Sequence, residues 1–469
     1  MNKYINAIQN DPIINQIKPY LKEYNAYLVG GFVRDTILNI QNHDRDIVVE
    51  SCNIEELAKK VSEKIDASFV PLDTENQIYR IVLKDKINYI DFAQPIENDI
   101  QKDLLRRDLA INAIAFDIKN NDFLDPSNGI IDIEAKVIKE ISEQNFIDDP
   151  LRLLRVFRFH SKLGFEIQES LKEIVKKHSS KITQPAKERI HTELLKLFEG
   201  KHADRALEEM DNLGLLEYIF PIVKEVKKVP SNPHHHLDLF HHSIETVKQV
   251  QNYYENATEQ VKEHLEMNFM GAIEKIAFLK LAAFCHDIGK PSTWTIEEET
   301  KKHRFFKHDD VGSKLISPIL KELKFSKKQI SYVQKLIKYH IYPSAVVCSD
   351  QFSDKSQMRF YRKMENEVID AIVLAAADRL SAQGPDITEE ITNKNLNGLK
   401  CLLDKYLALR ENIKPLPKLL DGKEIMEIKK IGQSKELGNI IKKLKEAQLS
   451  GDVNTKDEAI KFIKLTELD

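Results

Sequence analysis

The sequence has little of several features that mark secreted or membrane-bound proteins. Its 469 residues include four cysteines, none with CxxC spacing, at Cys52, Cys285, Cys348 and Cys401. This scarcity argues against a disulfide framework or a cysteine zinc site, and it predicts a reducing, cytoplasmic compartment. The N-terminal residues lack a continuous apolar core, so we expect no signal peptide. No run of about 18 apolar residues occurs, so we expect no membrane span.

The chain also lacks an excess of charge of either sign. The formal net charge is −4, so overall charge does not indicate nucleic-acid binding, and such a site would have to be a local basic patch. The apolar fraction of 42% is ordinary for a globular protein and allows a sizeable core. The length suggests about three domains of ~150 residues each.

The pattern of apolar residues changes along the chain. Residues 1–140 mix strand and helix signals, whereas from about residue 149 the spacing of three and four is typical of helices. The segment "KVPSNP" at 228–233 marks a boundary, and "KPLPKLL" at 414–420 reads as a linker to a helical tail. The predicted strands are "AYLVGG", "RDIVVE", "IYRIVL" and "INYIDFA", and the predicted early helix is "IEELAKKVSEKI".

Two aspartates stand at the start of a predicted strand in "HDRDIVVE". Side chains at i and i+2 of a strand point to the same face, so Asp44 and Asp46 project together. Like charges that close are unfavourable unless a cation lies between them. Upstream, "YLVGGFVRD" places Gly31 and Arg34 at a strand-to-helix turn, the arrangement of a phosphate cradle. The combination favours two-metal phosphoryl transfer, with Asp44 and Asp46 as magnesium ligands; the alternative is an acidic turn.

Two further clusters combine cations with acids. "LLRRDLAINAIAFD" contains Arg107, Asp108 and Asn112, which form either a surface salt bridge or a site for triphosphate and ribose. In "DDPLRLLRVFRF", Asp149 is a predicted N-cap, Pro150 the first helical residue, and three arginines recur every three residues: Arg152, Arg155 and Arg158. This stripe is either a solvated face or part of a binding site.

The pair of Asp149 and Arg152 suggests a way to select nucleotides. Cytosine and adenine both present an exocyclic amine beside an unprotonated ring nitrogen. A carboxylate accepts a hydrogen bond from the amine while a guanidinium donates to the nitrogen. Uracil and guanine present the reverse pattern. The pair would therefore accept CTP or ATP and reject UTP or GTP without a template.

These motifs, in this order and together with "PAKERIHTELLKLF", resemble the tRNA nucleotidyltransferases of the bacterial and eukaryotic class, a family that includes bacterial poly(A) polymerases. The resemblance implies transfer of CMP or AMP from CTP or ATP to a tRNA 3′ hydroxyl, as in CCA addition or repair, with release of pyrophosphate. It implies that Asp44 and Asp46 bind Mg²⁺ in the catalytic head. The implied nucleotide contacts are Gly31, Arg34, Arg107, Asp108, Asn112, Asp149, Arg152, Arg155 and Arg158.

One departure from the family pattern concerns the segment before "RRD". Members that add all of CCA usually carry a flexible segment there, which is associated with the switch from C to A. Here Asp91 and Arg106 are only 106 − 91 = 15 positions apart. Addition of the terminal A is therefore in doubt, and enzymes that add only CC or only A remain alternatives.

A histidine-rich region follows, with the His-Asp pair of "AAFCHDIGKP" at its centre. It resembles the HD phosphohydrolase domain, and the resemblance implies a metal set of His242, His286, Asp287 and Asp378. Imidazole and carboxylate together suit a divalent transition metal or Mg²⁺. The region is either an active metal-dependent phosphohydrolase or a retained structural bundle. Further histidines occur nearby in "RFFKHDDVG" and "KYHIYP".

The resulting prediction is a multidomain chain: an α/β head with a small mixed sheet at 1–140, an all-α neck and body that reads the base and binds RNA at 141–228, an all-α HD domain at 229–410 and a helical tail at 411–469. The expected partners are the tRNA 3′ end, CTP and ATP, and no membrane. Two alternatives remain open. One is a poly(A) polymerase, and the other is an HD phosphohydrolase whose head only binds a regulatory nucleotide.

Overall fold

A computed structural model of the chain describes residues 2–232, 236–300, 302–348, 353–412 and 417–466. The chain divides into two compact units, Met1–Pro221 and Ile222–Asp469. Part of the linker predicted at 414–420, residues 414–416, lies outside the described residues, as do parts of the predicted boundary at 228–233.

The first unit is built on a mixed sheet, as the sequence predicts for the head. The strand order is β3-β4-β5-β2-β1-β6-β7; β2 and β5 are parallel neighbours and the other neighbours are antiparallel. A small parallel pair, β8 and β9, lies outside this sheet. The strands are β1 Ala26–Val29, β2 Asp44–Val49, β3 Ser68–Asp73, β4 Ile78–Val82, β5 Tyr89–Ala93, β6 Ala115–Asp117, β7 Asp122–Leu124, β8 Val137–Ile138 and β9 Glu166–Ile167.

Helices pack against the sheet, and after β7 they make up most of the first unit. The predicted early helix is confirmed as α4: Asn53 caps it by accepting from the Glu56 amide, and its apolar residues at i, i+3 and i+7 are buried. The helices are α1 Asn2–Gln9, α2 Pro12–Leu21, α3 Gly31–Ile37, α4 Ile54–Lys64, α5 Ile100–Leu105, α6 Gly129–Ala135, α7 Glu143–Asp148, α8 Leu151–Leu163, α9 Glu169–His178, α10 Lys187–Glu199, α11 Ala203–Asn212 and α12 Leu216–Ile219.

Helix α8 carries the arginine stripe, and its start differs by one residue from the prediction. The helix begins at Leu151, after Pro150 in helical conformation. Asp149 is extended, and its carboxylate accepts from the Leu151 amide at 3.3 Å, so it still acts as a cap. Apolar side chains on the opposite face are buried, and α8 packs against α10 and α11. The arginines lie outside this apolar face, and Arg158 contacts Glu193 of α10.

The second unit is helical apart from one hairpin in its described residues. Helix α16 is buried along its whole length and leads directly into His286. It packs against α14, α19 and α22. The elements are α13 Val223–Val226, α14 Leu239–Glu255, α15 Glu259–Glu266, α16 Lys275–Cys285, α17 Lys290–Thr293, β10 Trp294–Ile296, β11 His303–Phe305, α18 His308–Glu322, α19 Lys327–Tyr339, α20 Tyr342–Cys348, α21 Asp354–Met364, α22 Val368–Ser381 and α23 Glu389–Leu409.

The end of the chain is the predicted helical tail. Its three helices are α24 Gly422–Lys429, α25 Lys435–Ser450 and α26 Lys456–Leu465. They share a small apolar cluster that includes Ile425, Ile440 and Ile463.

Candidate functional site

Three carboxylates meet on adjacent strands of the head sheet. Asp44 and Asp46 lie on β2 and point to the same side, as predicted, while Asp91 on the parallel strand β5 pairs in register with Asp46. One oxygen from each lies within 4.8 Å of the others, a group that could hold a cation. Arg80 on β4 contacts the group from the side, at 2.7 Å from Asp91 and 3.8 Å from Asp44.

The electrostatics of this acidic group are those of a cation site. Burial, together with the charges of Asp44 and Asp91, raises the pKa of Asp46 to about 7. Burial and the Asp91 charge also raise the pKa of Asp44. Mg²⁺ prefers oxygen ligands, and a bound cation would relieve the repulsion among the three carboxylates. The residues therefore fit a divalent cation.

Beside these carboxylates is a pocket of about 700 Å³. Asp46 lies in its wall, and α8 and α10 supply much of the rest. The pocket brings together all nine residues that were predicted to contact the nucleotide: Gly31, Arg34, Arg107, Asp108, Asn112, Asp149, Arg152, Arg155 and Arg158.

The close approach of backbone to this pocket depends on Gly30, the first glycine of the predicted strand-to-helix turn in "YLVGGFVRD". Its φ is +73°, in the region that favours glycine. A Cβ at this position would lie 3.1 Å from Arg107 Nη1 and 3.3 Å from Asp46 Oδ2. Helix α3 then begins at Gly31, whose position also lines the pocket.

A chain of buried hydrogen bonds holds the cations of the pocket in place. Arg34 donates to Asn112 Oδ1 at 2.6 Å, and the Asn112 amide donates to Asp108 at 3.1 Å. Asp108 in turn accepts from Arg155 Nε at 2.6 Å. Although burial opposes it, the Arg155 guanidinium keeps the pKa of Asp108 below its usual value. Asp108 and Asn112 therefore position arginines from two different helices.

Helix α10 contributes residues that the sequence analysis missed. Arg189 donates to the Asp149 carboxylate at 2.7 Å, and Glu193 accepts from Arg158 at 2.9 Å. Both residues lie in "PAKERIHTELLKLF", but only the packing of α10 on α8 reveals their partners. Arg152 lies beside Asp149 and donates to the Asn145 carbonyl at 3.0 Å. Asp149 and Arg152, the predicted base-reading pair, therefore lie in the same wall of the pocket, and Arg189 lies there with them.

A second cluster lies in the helical unit and contains the four predicted metal ligands. His242 Nε2 is 3.2 Å from His286 Nε2, 3.2 Å from Asp378 Oδ1 and 3.6 Å from Asp287 Oδ2. The structure adds two histidines: His308 Nε2 and His340 Nε2 lie 3.2 and 3.6 Å from Asp287 Oδ1. The two oxygens of Asp287 thus face different groups of histidines.

Three of these histidines are held in the orientation and tautomer in which Nε2 can bind a metal. Nδ1 of His286, His308 and His340 lies 2.7, 2.8 and 2.7 Å from the backbone carbonyls of Ala283, Phe305 and Ile337. Because a carbonyl only accepts, Nδ1 donates, and Nε2 faces the cluster. Although burial opposes it, the charges of Asp287 and Asp378 raise the pKa of His286 to about 10. A bound cation would replace that proton.

Comparisons with known proteins agree with this architecture. Residues 26–139 match the Poly A polymerase head domain, residues 164–227 the "Probable RNA and SrmB- binding site of polymerase A", and residues 239–383 the HD domain. The chain is 28% identical to an A-adding tRNA nucleotidyltransferase of Deinococcus radiodurans (94% of this chain and 95% of that protein) and 27% identical to a CC-adding tRNA nucleotidyltransferase of Thermus thermophilus (95% and 94%). It is 30% identical to a multifunctional CCA protein of Hahella chejuensis, covering 67% of this chain and 72% of that protein.

The chain belongs to the tRNA nucleotidyltransferase and poly(A) polymerase family. It is therefore an enzyme of the nucleotidyltransferase type with an appended HD domain, as its motifs indicate. The fold agrees with that of the Thermotoga maritima CCA-adding enzyme complexed with tRNA, with a TM-score of 0.58, 22% identity, and coverage of 98% of this chain and 97% of that one.

Three residues outside the predicted set lie next to these centres, and each had some signal in the sequence. Asp91 is an acid in the middle of the apolar strand "YIDFA", while His308 and His340 stand in the histidine-rich motifs. These three residues reach the sites only because segments that are distant in the sequence pair or pack together. Among the described residues, no helix has the length and apolarity needed to cross a membrane.

Proposed function

We propose that this enzyme adds CMP to the 3′ end of tRNA, as part of CCA synthesis or repair. The observation that carries the proposal is the single pocket that joins Asp46 to the base-reading pair Asp149 and Arg152. A nucleoside triphosphate bound with its base against this pair can direct its phosphates toward the carboxylates. Both tRNA and the triphosphates are cytoplasmic substrates, which fits the expected compartment.

The nucleotide contacts divide by chemistry. Arg34 and Arg107 are permanent cations beside the Gly30–Gly31 turn and suit the phosphates. Asp149 and Arg152 suit the Watson–Crick edge of cytosine or adenine. Arg155 and Arg158 complete the wall and are themselves neutralised by Asp108 and Glu193. Arg34 and Arg107 are also paired, with Asp35 at 2.6 Å and Asp103 at 3.0 Å, so carboxylates hold all four of these arginines in place.

The reaction displaces pyrophosphate from the triphosphate. The terminal ribose hydroxyl oxygen of the RNA attacks the α-phosphorus and loses its proton to solvent, while the bond between that phosphorus and the β-phosphate oxygen breaks. Mg²⁺ held by Asp44 and Asp46, with Asp91 close by, would lower the cost of charge on both oxygens. Arg34 and Arg107 orient the phosphates for this displacement.

The segment before α5 supports partial CCA synthesis rather than addition of the whole CCA, and CC addition is the partial form that we propose. Between β5 and α5 the chain has only residues 94–99, and this segment is fastened to the end of β2. The Ser51 amide donates to Asn98 Oδ1 at 2.6 Å, and the Ile100 amide donates to Glu50 at 3.0 Å. A short, fastened segment does not suit the movement associated with the switch from C to A.

The test uses three tRNAs: one lacking CCA, one ending in the first C and one ending in CC. Each is incubated with CTP, ATP or both, and products are resolved at single-nucleotide length. We expect two C additions to the first, one to the second, and no A addition to the third. A-addition alone to the third tRNA would identify the A-adding alternative, and long A tails on unrelated RNA would identify a poly(A) polymerase.

The second unit supports an additional function, a metal-dependent phosphohydrolase. Six metal-ligand side chains converge there, and three of the histidines are oriented by backbone carbonyls. A mixed imidazole and carboxylate set suits a divalent transition metal, with Mg²⁺ as the alternative. For a 2′,3′-cyclic phosphate, a water oxygen would bond to phosphorus, one ribose–phosphate P–O bond would break, and the released ribose oxygen would take a proton. Hydrolysis of adenosine 2′,3′-cyclic phosphate tests this function.

A further inference from the structure

Asn145 of α7 contacts residues that are assigned above to opposite ends of the bound nucleotide. Its side-chain nitrogen lies 2.7 Å from the backbone carbonyl of Arg107, whose guanidinium suits the phosphates. Its backbone carbonyl lies 3.0 Å from Nη1 of Arg152, whose guanidinium suits the base. Both arginines line the pocket, and Asn145 is only 7% exposed. One buried residue therefore connects the two groups of nucleotide contacts.

The side chain of Asn145 fastens the turn that carries Arg107. The last carbonyls of an α-helix have no partner within the helix. Asn145 Nδ2 donates to the carbonyl of Leu105, the last residue of α5, at 2.9 Å, and to that of Arg107 at 2.7 Å. An amide nitrogen carries two hydrogens, so both of them are used. Because carbonyls only accept, these two contacts also require that the nitrogen of the amide faces them.

The backbone of Asn145 holds the base-reading pair. Its carbonyl accepts from Arg152 Nη1 at 3.0 Å and from the Asp149 amide at 3.4 Å. Helix α7 is itself held in place, because Ser142 caps it by accepting from the Asn145 amide at 3.4 Å and the neighbouring Phe146 is fully buried. The position of Asn145 therefore sets where the base-reading pair lies relative to the turn after α5.

We propose that Asn145 is a positioning residue, which holds the base-reading pair at a fixed place relative to the Arg107 turn and so supports selection of the base. The inference rests on the proposed function, in which Asp149 and Arg152 read the base. A bidentate base contact requires both partners to be aligned with the base edge while the phosphates are held. Without the Asn145 side chain, two carbonyls lose their donor, and α7 can shift relative to the turn.

Equilibrium binding of nucleotides without tRNA tests this positioning. Isothermal titration calorimetry in Mg²⁺ compares CTP with UTP and ATP with GTP. Asn145→Ala should lower the preference for CTP over UTP, and that for ATP over GTP, about tenfold, because the bidentate contact is then misaligned. Asn145→Ser keeps one shorter donor and should fall between Asn145→Ala and the parent. It takes the place of Asn145→Ala if circular dichroism shows that Asn145→Ala does not fold.

Two further variants separate positioning from a purely structural role. Asn15→Ala is the matched control, because Asn15 Nδ2 also donates to a carbonyl at a helix end, that of Gln9 in α1, at 2.7 Å, but does not line the pocket. Its base preference should equal that of the parent. If Asn145 acts through Arg152, the double variant of Asn145→Ala and Arg152→Ala should select no worse than Arg152→Ala alone. A further loss in the double variant would overturn the inference.

A CMP-addition assay on the same proteins distinguishes failure of the inference from failure of the proposed function. If the parent adds CMP to tRNA but Asn145→Ala keeps the parent's base preference, the inference is overturned and the proposed function stands. If the parent adds no CMP, yet its base preference falls in both Asn145→Ala and Arg152→Ala, the positioning is upheld and CMP addition is contradicted. A base preference that survives Arg152→Ala, or an equal loss in Asn15→Ala, would also overturn the inference.

Discussion

The metal-binding role that we propose for Asp46 conflicts with the stability of the head. The pKa of Asp46 is raised to about 7 by burial, then by Asp44 and Asp91. When the pKa of an acid is higher in the folded than in the unfolded state, the protein becomes less stable as pH rises from the unfolded-state pKa to the folded-state pKa. For Asp46 these two pKa values are near 4 and about 7. Without a cation, the head should therefore be less stable above pH 7 than in mild acid.

The first prediction removes this conflict. Asp46→Asn should raise the free energy of unfolding by about 1–2 kcal/mol above pH 7 in a chelator, because one pKa unit is worth about 1.4 kcal/mol and Asp46 is partly exposed. The same variant, like Asp44→Ala, should lose at least about 100-fold in nucleotide addition. Denaturant titration with and without Mg²⁺ and a CMP-addition assay check both effects. Normal addition by either variant at unchanged Mg²⁺ would refute the metal role.

The second prediction concerns selection of the base. Arg152→Ala should lose discrimination between CTP and UTP by about 1–3 kcal/mol, because a bidentate base contact is worth that much. Arg107→Ala is the contrast: beside the Gly30 turn it should raise KM for every nucleotide to a similar degree. Competition between nucleotides in single-turnover addition measures the difference. Undiminished rejection of UTP by Arg152→Ala would show that other groups read the base.

At the scale of elements, the sequence predicted the features that depend on residues close together in the chain. The i, i+2 spacing placed Asp44 and Asp46 on one face of β2, and the three-residue spacing placed the arginines on one face of α8. It did not predict Asp91, which depends on the parallel pairing of β2 with β5. Nor did it predict Arg189 and Glu193, because their partners depend on how α10 packs on α8. Strand register and helix packing are set by the whole fold rather than by neighbours in sequence.

The third prediction tests the α8–α10 contact. Glu193 is buried and pairs with Arg158 at 2.9 Å and with Arg155 at 3.6 Å. Glu193→Ala leaves two partly buried guanidinium groups with less compensation, so we expect a loss of about 3 kcal/mol in the free energy of unfolding. It should also raise KM for CTP, because the arginines then shift within the pocket. Glu173→Ala, which truncates an exposed acid on α9, is the control, and an equal loss there would contradict this explanation.

At the scale of the whole molecule, the chain contains two centres in two compact units. The carboxylate group and the pocket beside it lie within Met1–Pro221, and the histidine cluster lies within Ile222–Asp469. Their ligand chemistry differs, since the first offers only oxygen and the second offers imidazole as well. Metals should therefore divide between them, with Mg²⁺ at the first and a transition metal favoured at the second.

The last prediction tests this independence. Asp287 faces all the histidines of the cluster, so Asp287→Ala should abolish hydrolysis of adenosine 2′,3′-cyclic phosphate while leaving CMP addition within about twofold. In the parent, Ni²⁺, Co²⁺ or Mn²⁺ should support the hydrolysis better than Mg²⁺, because imidazole favours transition metals. Both activities are measured on one preparation of each protein, with circular dichroism as the check on folding. A folded Asp287→Ala protein without CMP addition would show that the two centres depend on each other, and a parent without hydrolysis under any of these metals would leave the second unit a structural bundle.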